Sequence, residues 1–208
     1  SVLENNGRPN EWVVKDYSQA AAEAGDYELA ADLLVALERL NPSYDHSTNI
    51  GYYYSMAGRR NKSREWHKTA YQRRKNALTA YNLACGKSDY DKEKEELLRE
   101  ALEFDPEYVL ALDMLAHLVA HKNPVEAKAL KKKLVTLLKV DFKSGYIDMR
   151  GLKTLELTAK EIGEICLANE AKELRLEQER QLESKNSLYL DKHLLQSKMS
   201  NKGSLLGE

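Results

Sequence analysis

Apolar residues recur every three or four positions along most of this chain, which is the spacing of helices with one buried face. Residues 1–10 are polar, with Asn5-Asn6-Gly7 and Pro9, and form a lead-in without periodicity. From Glu11 the pattern turns helical, with Val14, Tyr17, Ser18 and Ala21 on one face. Gly25-Asp26 marks a turn, and Leu29, Ala30, Leu33, Leu34 and Leu37 form the inner face of a second helix that Pro42 stops. A second pair opens at Ile50-Gly51-x-x-Tyr54, turns at Gly58 and continues through Trp66, Ala70 and Tyr71. A third has Tyr81, Leu83 and Ala84 on its first helix and Leu97, Leu98, Ala101 and Leu102 on its second. Pro106 is its stop, and its turn around Lys87-Ser88-Asp89 is expected to be shorter than the others.

The turns repeat. Gly25 and Gly58 lie thirty-three positions apart, with Ser63 at the place of Ala30. A period in the low thirties belongs to stacked helix pairs, which gain a core only by stacking because one pair cannot bury both its apolar faces. Two further pairs follow by pattern alone. Glu107 to His121 leads to a helix from Pro124 to Val140 with Asn123 placed as its N-cap, and Gly151 to Cys166 leads to Ala168 to Glu183. The approximate pairs are thus 11–43, 44–75, 76–106, 107–140 and 151–183. Residues 184–208 form a Ser-, Asn- and Lys-rich tail with one short amphipathic helix, Leu188 to Leu195.

Several of these residues fit a known pattern. Ile50, Gly51, Tyr54, Gly58 and Ala70, together with Gly25, Asp26, Tyr27, Ala30, Leu34 and Pro42, resemble the tetratricopeptide repeat (TPR), as do Tyr81-Asn82-Leu83-Ala84-Cys85 and Ala101-x4-Pro106. The resemblance covers residues 11–106. It implies an all-α, right-handed superhelical solenoid of about five antiparallel helix pairs, binding a protein or peptide in its concave groove rather than catalysing a reaction. In that family the first helices line the groove. The groove candidates are therefore Trp12, Lys15 and Gln19 in pair one, Asn49, Tyr52 and Met56 in pair two, and Leu78, Tyr81, Asn82 and Cys85 in pair three. Such an aromatic and amide-rich lining suits an extended or helical peptide. Tyr81 and Asn82 could equally bridge neighbouring repeats.

The resemblance also raises the subclass that grips the acidic C-terminus of heat-shock chaperones with a clamp of lysines, asparagines and an arginine. Lys15 and Asn49 fall on two of its places, but Gln19, Leu78 and Asn82 occupy the rest. Without the two third-repeat cations the clamp lacks the charge-assisted bonds a terminal carboxylate needs. Partner binding by another chemistry is expected, either in a free-standing module or in the recruiting or regulatory part of a larger chaperone or enzyme.

Composition narrows the classes further. A net charge of −1 gives no general attraction to nucleic acid or anionic membrane. The longest apolar runs, such as Leu110 to Leu112, fall far short of the roughly 20 residues that span a bilayer. Cys85 and Cys166 suggest small buried residues in a reducing, cytoplasmic setting. The absence of an initial methionine suggests a fragment of a longer protein. Charge is patterned locally: Arg59 to Lys75 carries eight basic residues and Asp89 to Glu107 nine acidic ones. Opposite signs on the outer helices of adjacent pairs would support stacking modestly, and a docking patch for an acidic partner or RNA is the alternative. Asp113, His117 and His121 share a helical stripe and form the one metal-ligand candidate, although the general-base glutamate of the His-Glu-x-x-His signature is missing. No cofactor motif stands out.

Overall fold

The computed structural model describes the backbone of residues 4–5, 8–40 and 45–203, and side chains over residues 10–40 and 45–185. Pro42 and the side chains of Leu188 to Leu195 lie outside the described residues. The described residues hold ten helices, preceded by a two-stranded antiparallel ribbon, β1 (Glu4–Asn5) with β2 (Arg8–Pro9). They divide into two units, Ser1–Ala127 and Lys128–Glu208.

In the first unit, α1 (Glu11–Glu23) and α2 (Tyr27–Leu40), α3 (Ser47–Met56) and α4 (Arg60–Arg73), and α5 (Ala77–Cys85) and α6 (Lys92–Phe104) form the three pairs, and α7 (Val109–Val119) packs on α6. Asn10 caps α1 by accepting from the Trp12 amide at 3.1 Å, and Asp26 caps α2 through the Leu29 amide at 3.1 Å. Between these helices the chain must reverse in three residues. Gly25 does so at φ +83° and Gly58 repeats it at φ +73°, a left-handed conformation that side-chain-bearing residues adopt only with strain.

Two corresponding positions, thirty-three residues apart, hold the helix crossings. In pair one the Ser18 hydroxyl donates to the Ala30 carbonyl at 2.9 Å. In pair two Gly51 takes that place, and a Cβ there would lie 2.5 Å from Nδ1 of His67. The glycine therefore makes room for an imidazole ring. Ala31, Leu34, Ile50 and Tyr54 form the buried cluster that joins pairs one and two.

Some expectations need correction. Tyr17 and Leu29, placed on inner faces by periodicity, are exposed, because the narrow contact between pairs leaves the flanks of both helices open. The third turn is not shorter. α5 stops at Cys85, and residues 86–91 form a connection longer than either earlier turn, ending where Asp91 caps α6 through the Glu93 amide at 3.0 Å. The basic stretch of α4 pairs chiefly with α2 rather than with the acids of α6. Arg59 meets Glu28 at 2.7 Å and Arg73 meets the buried Glu38 at 2.6 Å, while Lys75 reaches Glu100 at 3.7 Å.

α8 (Pro124–Ser144) opens with Asn123 accepting from the Glu126 amide at 3.2 Å, as its placement before Pro124 predicts. In the second unit, α9 (Met149–Ile162) is capped by Asp148, which accepts from the Gly151 amide at 2.7 Å, and ends at Gly163 with φ +92°. α9 therefore stops short of the expected Cys166. α10 (Ile165–Gly203) packs on it and runs on through the region expected to be a tail with a separate short helix. Leu152, Leu155, Ala159, Leu167 and Ala171 are buried within this unit, and Arg175 bridges Glu156 at 3.0 Å and Glu179 at 2.6 Å.

Candidate functional site

The first helices of the three pairs carry the ten groove candidates, and the structure separates them by exposure. Trp12 is 75% exposed, Tyr52 52%, Met56 48% and Leu78 44%. Lys15, Gln19, Asn49 and Cys85 are also at least partly exposed, and Asn82 is half-buried. The period sets Gln19, Tyr52 and Cys85 in one row, because each lies thirty-three positions from the next.

Tyr81 departs from this set. It is buried, and its ring meets that of Tyr108 edge-on with centroids 5.6 Å apart. Tyr81 lies four residues after Ala77 and three before Ala84, both buried, on the face that packs inward, whereas Leu78 is exposed. The bridging alternative thus describes Tyr81, and of the two tyrosine candidates Tyr52 alone is exposed.

Electrostatics tie down several polar candidates. Lys15 pairs with Glu11 at 3.5 Å and lies 6.0 Å from the centre of the Trp12 ring. The Gln19 amide donates to Glu23 at 2.9 Å. Tyr53, beside Tyr52 with ring centroids 5.7 Å apart, has its phenol pushed above the usual range, chiefly by burial.

The metal candidate does not assemble. α7 ends at Val119, so His121 lies in the following turn and leaves the stripe that Asp113 and His117 share. The His117 ring instead sits 2.8 Å from the Asp113 carbonyl, and no group of three possible ligands is placed to hold a metal among the described residues. The thiols of Cys85 and Cys166 are exposed, against the expectation of burial.

A residue passed over as ordinary in sequence is His67. It stands thirty-three positions after the core residue Leu34, and it is only 7% exposed with Nδ1 lacking a hydrogen-bond partner. Burial holds its imidazole below the usual histidine range. A polar side chain in an apolar column was the available signal.

No protein-family model matches the chain, and no curated protein matches it. Solved structures do. A thermophilic TPR protein of Thermus thermophilus aligns with a TM-score of 0.59 and 17% identity, over 81% of this chain and 91% of its own. A MamA RS-1 double mutant gives 0.56 and 16% identity over 83% of this chain and 96% of its own. A further MamA crystal structure gives 0.54 and 18% identity over 81% of this chain and 91% of its own. At these identities the likeness is one of fold. With the repeated turns and helix crossings, it defines the class: the chain has the tetratricopeptide-repeat fold, an all-α array of helix pairs. Among the described residues no helix is long and apolar enough to cross a membrane.

Proposed function

We propose that this chain is a non-catalytic protein-interaction module that takes a peptide, or a segment of a partner protein, on the concave face lined by α1, α3 and α5. The observation that carries this reading is the set of exposed large apolar side chains on these three first helices: Trp12, Tyr52, Met56 and Leu78. Exposed apolar surface costs solubility unless it serves a contact. Tyr and Trp offer a large contact area with few rotatable bonds, so little entropy is lost on binding. Asn49 and Asn82 can donate to and accept from a peptide backbone between those anchors.

The acidic tail of a heat-shock chaperone is a poor fit. Lys15 is engaged by Glu11 and Gln19 by Glu23. Leu78 and Asn82 supply no cation. A peptide whose affinity comes from apolar anchors fits better, and the same face would serve if the chain recruits substrates for a larger chaperone or enzyme. Two exposed thiols suit a reducing, cytoplasmic setting.

The test is selection of peptides from a random display library on the protein. The selected sequences should be rich in apolar residues. Their affinity should fall by about tenfold or more in Tyr52→Ser/Leu78→Ser, the loss of a hot-spot contact, with the helical circular dichroism unchanged. Selected peptides that bind this variant as well as the parent protein would contradict the assignment.

A further inference from the structure

A cavity of about 450 Å³ opens between the α3–α4 turn and residues 86–91. Its wall includes Arg60, Arg64 and Lys87 with the hydroxyls of Ser55 and Ser63, and no carboxylate. Among the described residues Arg60 and Arg64 join no ion pair. Lys87 is held by Asp91 and Glu93, so the acids of the neighbouring loop are engaged from outside the wall.

Two features aim this cavity at an anion. The Arg64 stem runs along Gly86, where a Cβ would lie 3.4 Å from Cγ and 3.8 Å from Nε, so the loop fixes the arginine against the wall. α4 begins at the cavity, and Arg59, its N-cap, makes no side-chain capping bond; the Arg60 amide turns back to the Gly58 carbonyl at 3.0 Å, and the positive end of the helix dipole lies at the wall that Arg60, Ser63 and Arg64 share. His67 lines the same cavity and is more than nine-tenths buried, with its unpartnered Nδ1 turned to Gly51. A guanidinium pair, hydroxyls and the positive end of a helix dipole suit a tetrahedral oxyanion, because the first two supply N–H and O–H donors and the third favours negative charge.

We propose that this cavity binds a phosphoryl group carried on a serine or threonine of a partner peptide, with Arg60 and Arg64 as its principal cationic contacts. The source of the phosphate rests on the peptide-binding reading: Cys85 lines the cavity and also belongs to the exposed Gln19–Tyr52–Cys85 row, so a peptide on the first-helix face passes the cavity mouth. The anion site itself stands on the cavity alone.

The experiment is a nuclear magnetic resonance titration of the whole chain. Its probes are inorganic phosphate, a capped Gly-phosphoserine-Gly tripeptide and the same tripeptide without phosphate. The proposal expects saturable shifts at Ser63, His67 and Gly86 with the phosphotripeptide, tighter than inorganic phosphate by about threefold or more, and none with the unphosphorylated tripeptide. Arg60→Gln/Arg64→Gln should weaken that binding by about tenfold or more through loss of charge-assisted bonds. If that variant disturbs the fold, Arg60→Gln alone, at an exposed position in the first helical turn, gives the same readout with a smaller loss. Equal affinity for phosphate and phosphotripeptide would overturn the peptide source. No saturation by about 20 mM ligand, a millimolar-affinity limit, or undiminished binding in both variants, would overturn the site. Titration of the same samples with a library-selected peptide lacking phosphate reports on Tyr52 and Leu78 separately, so failure of the cavity and failure of the peptide face are distinguishable.

Discussion

Up to Ala127, the first helices of the pairs expose Trp12, Tyr52, Met56 and Leu78, whereas the second helices expose Leu29, Leu40 and Phe104 beside charges of which several are engaged with one another. Arg59 and Lys62 meet Glu28, Arg73 meets Glu38, Lys75 meets Glu100, and Arg99 meets Glu126. Half of the basic run that looks like a docking surface in sequence, Arg59, Lys62, Arg73 and Lys75, is used in joining one pair to the next, while Arg60 and Arg64 line the cavity. The exposed apolar residues of the other face join no such bridges between pairs. Net charge therefore says little about where this protein meets others, and the distribution of unengaged side chains says more.

The contrast can be broken first within the first helices, where Tyr52 is exposed and Tyr81 buried. Tyr81→Ala should cost about 3 kcal/mol or more, the range for removing a buried aromatic, while Tyr52→Ala stays within about 0.5 kcal/mol as a surface change. Urea unfolding of the two variants measures the gap. Equal losses would mean that Tyr52 is part of the packing and not of a free face.

Gly51→Leu tests the helix crossing next. The added side chain meets the His67 ring, and overpacking of this kind costs about 1 to 3 kcal/mol. An unchanged melting temperature would remove Gly51 from the crossing and with it the repeat register.

On the second-helix face, Arg73→Gln leaves Glu38, 5% exposed, to rely on the His46 amide, which donates to it at 2.9 Å. Losing a charged hydrogen bond at a buried acceptor costs about 1.5 to 3 kcal/mol, and the partial exposure of Arg73 favours the lower end. Arg59→Gln, whose pair with Glu28 is in solvent, should cost clearly less, and that loss should shrink in high salt. Thermal melts at two salt concentrations separate these cases. A larger loss from Arg59→Gln would reverse the assignment of which pair carries the stacking.

The smallest expected effect is on pH dependence. Burial lowers the folded-state pKa of His67 below its ordinary value of 6.5, so the unfolded chain binds more protons as pH falls through that value and stability declines. His46 is shifted the same way, chiefly by burial. The melting temperature should therefore drop between about pH 7.5 and 5.5, and drop less in His67→Leu, which retains only the His46 contribution. An identical drop in both proteins would show that His67 does not carry this linkage.

Much of the fold was legible because backbone requirements leave direct marks: Gly25 and Gly58 at left-handed turns, Asn123 before Pro124 at a helix start, small residues at Ser18 and Gly51. The stop at Gly163 was equally available but was hidden by the apolar pattern running on to Cys166. Exposure was harder to read. Tyr17 and Leu29 fit the helical period yet face solvent, and Cys85 and Cys166 are small yet exposed, because burial depends on where the neighbouring pair sits. The cavity beside His67 was beyond the sequence, since it is formed by the α3–α4 turn and residues 86–91 together.

The central claim, that the first-helix face is the partner-binding face, is tested most directly by mapping amide shifts when a library-selected peptide is titrated into the labelled chain. The account predicts that the largest shifts fall on α1, α3 and α5, at residues around Trp12, Tyr52 and Leu78. Shifts concentrated instead on α2, α4 and α6 would contradict it.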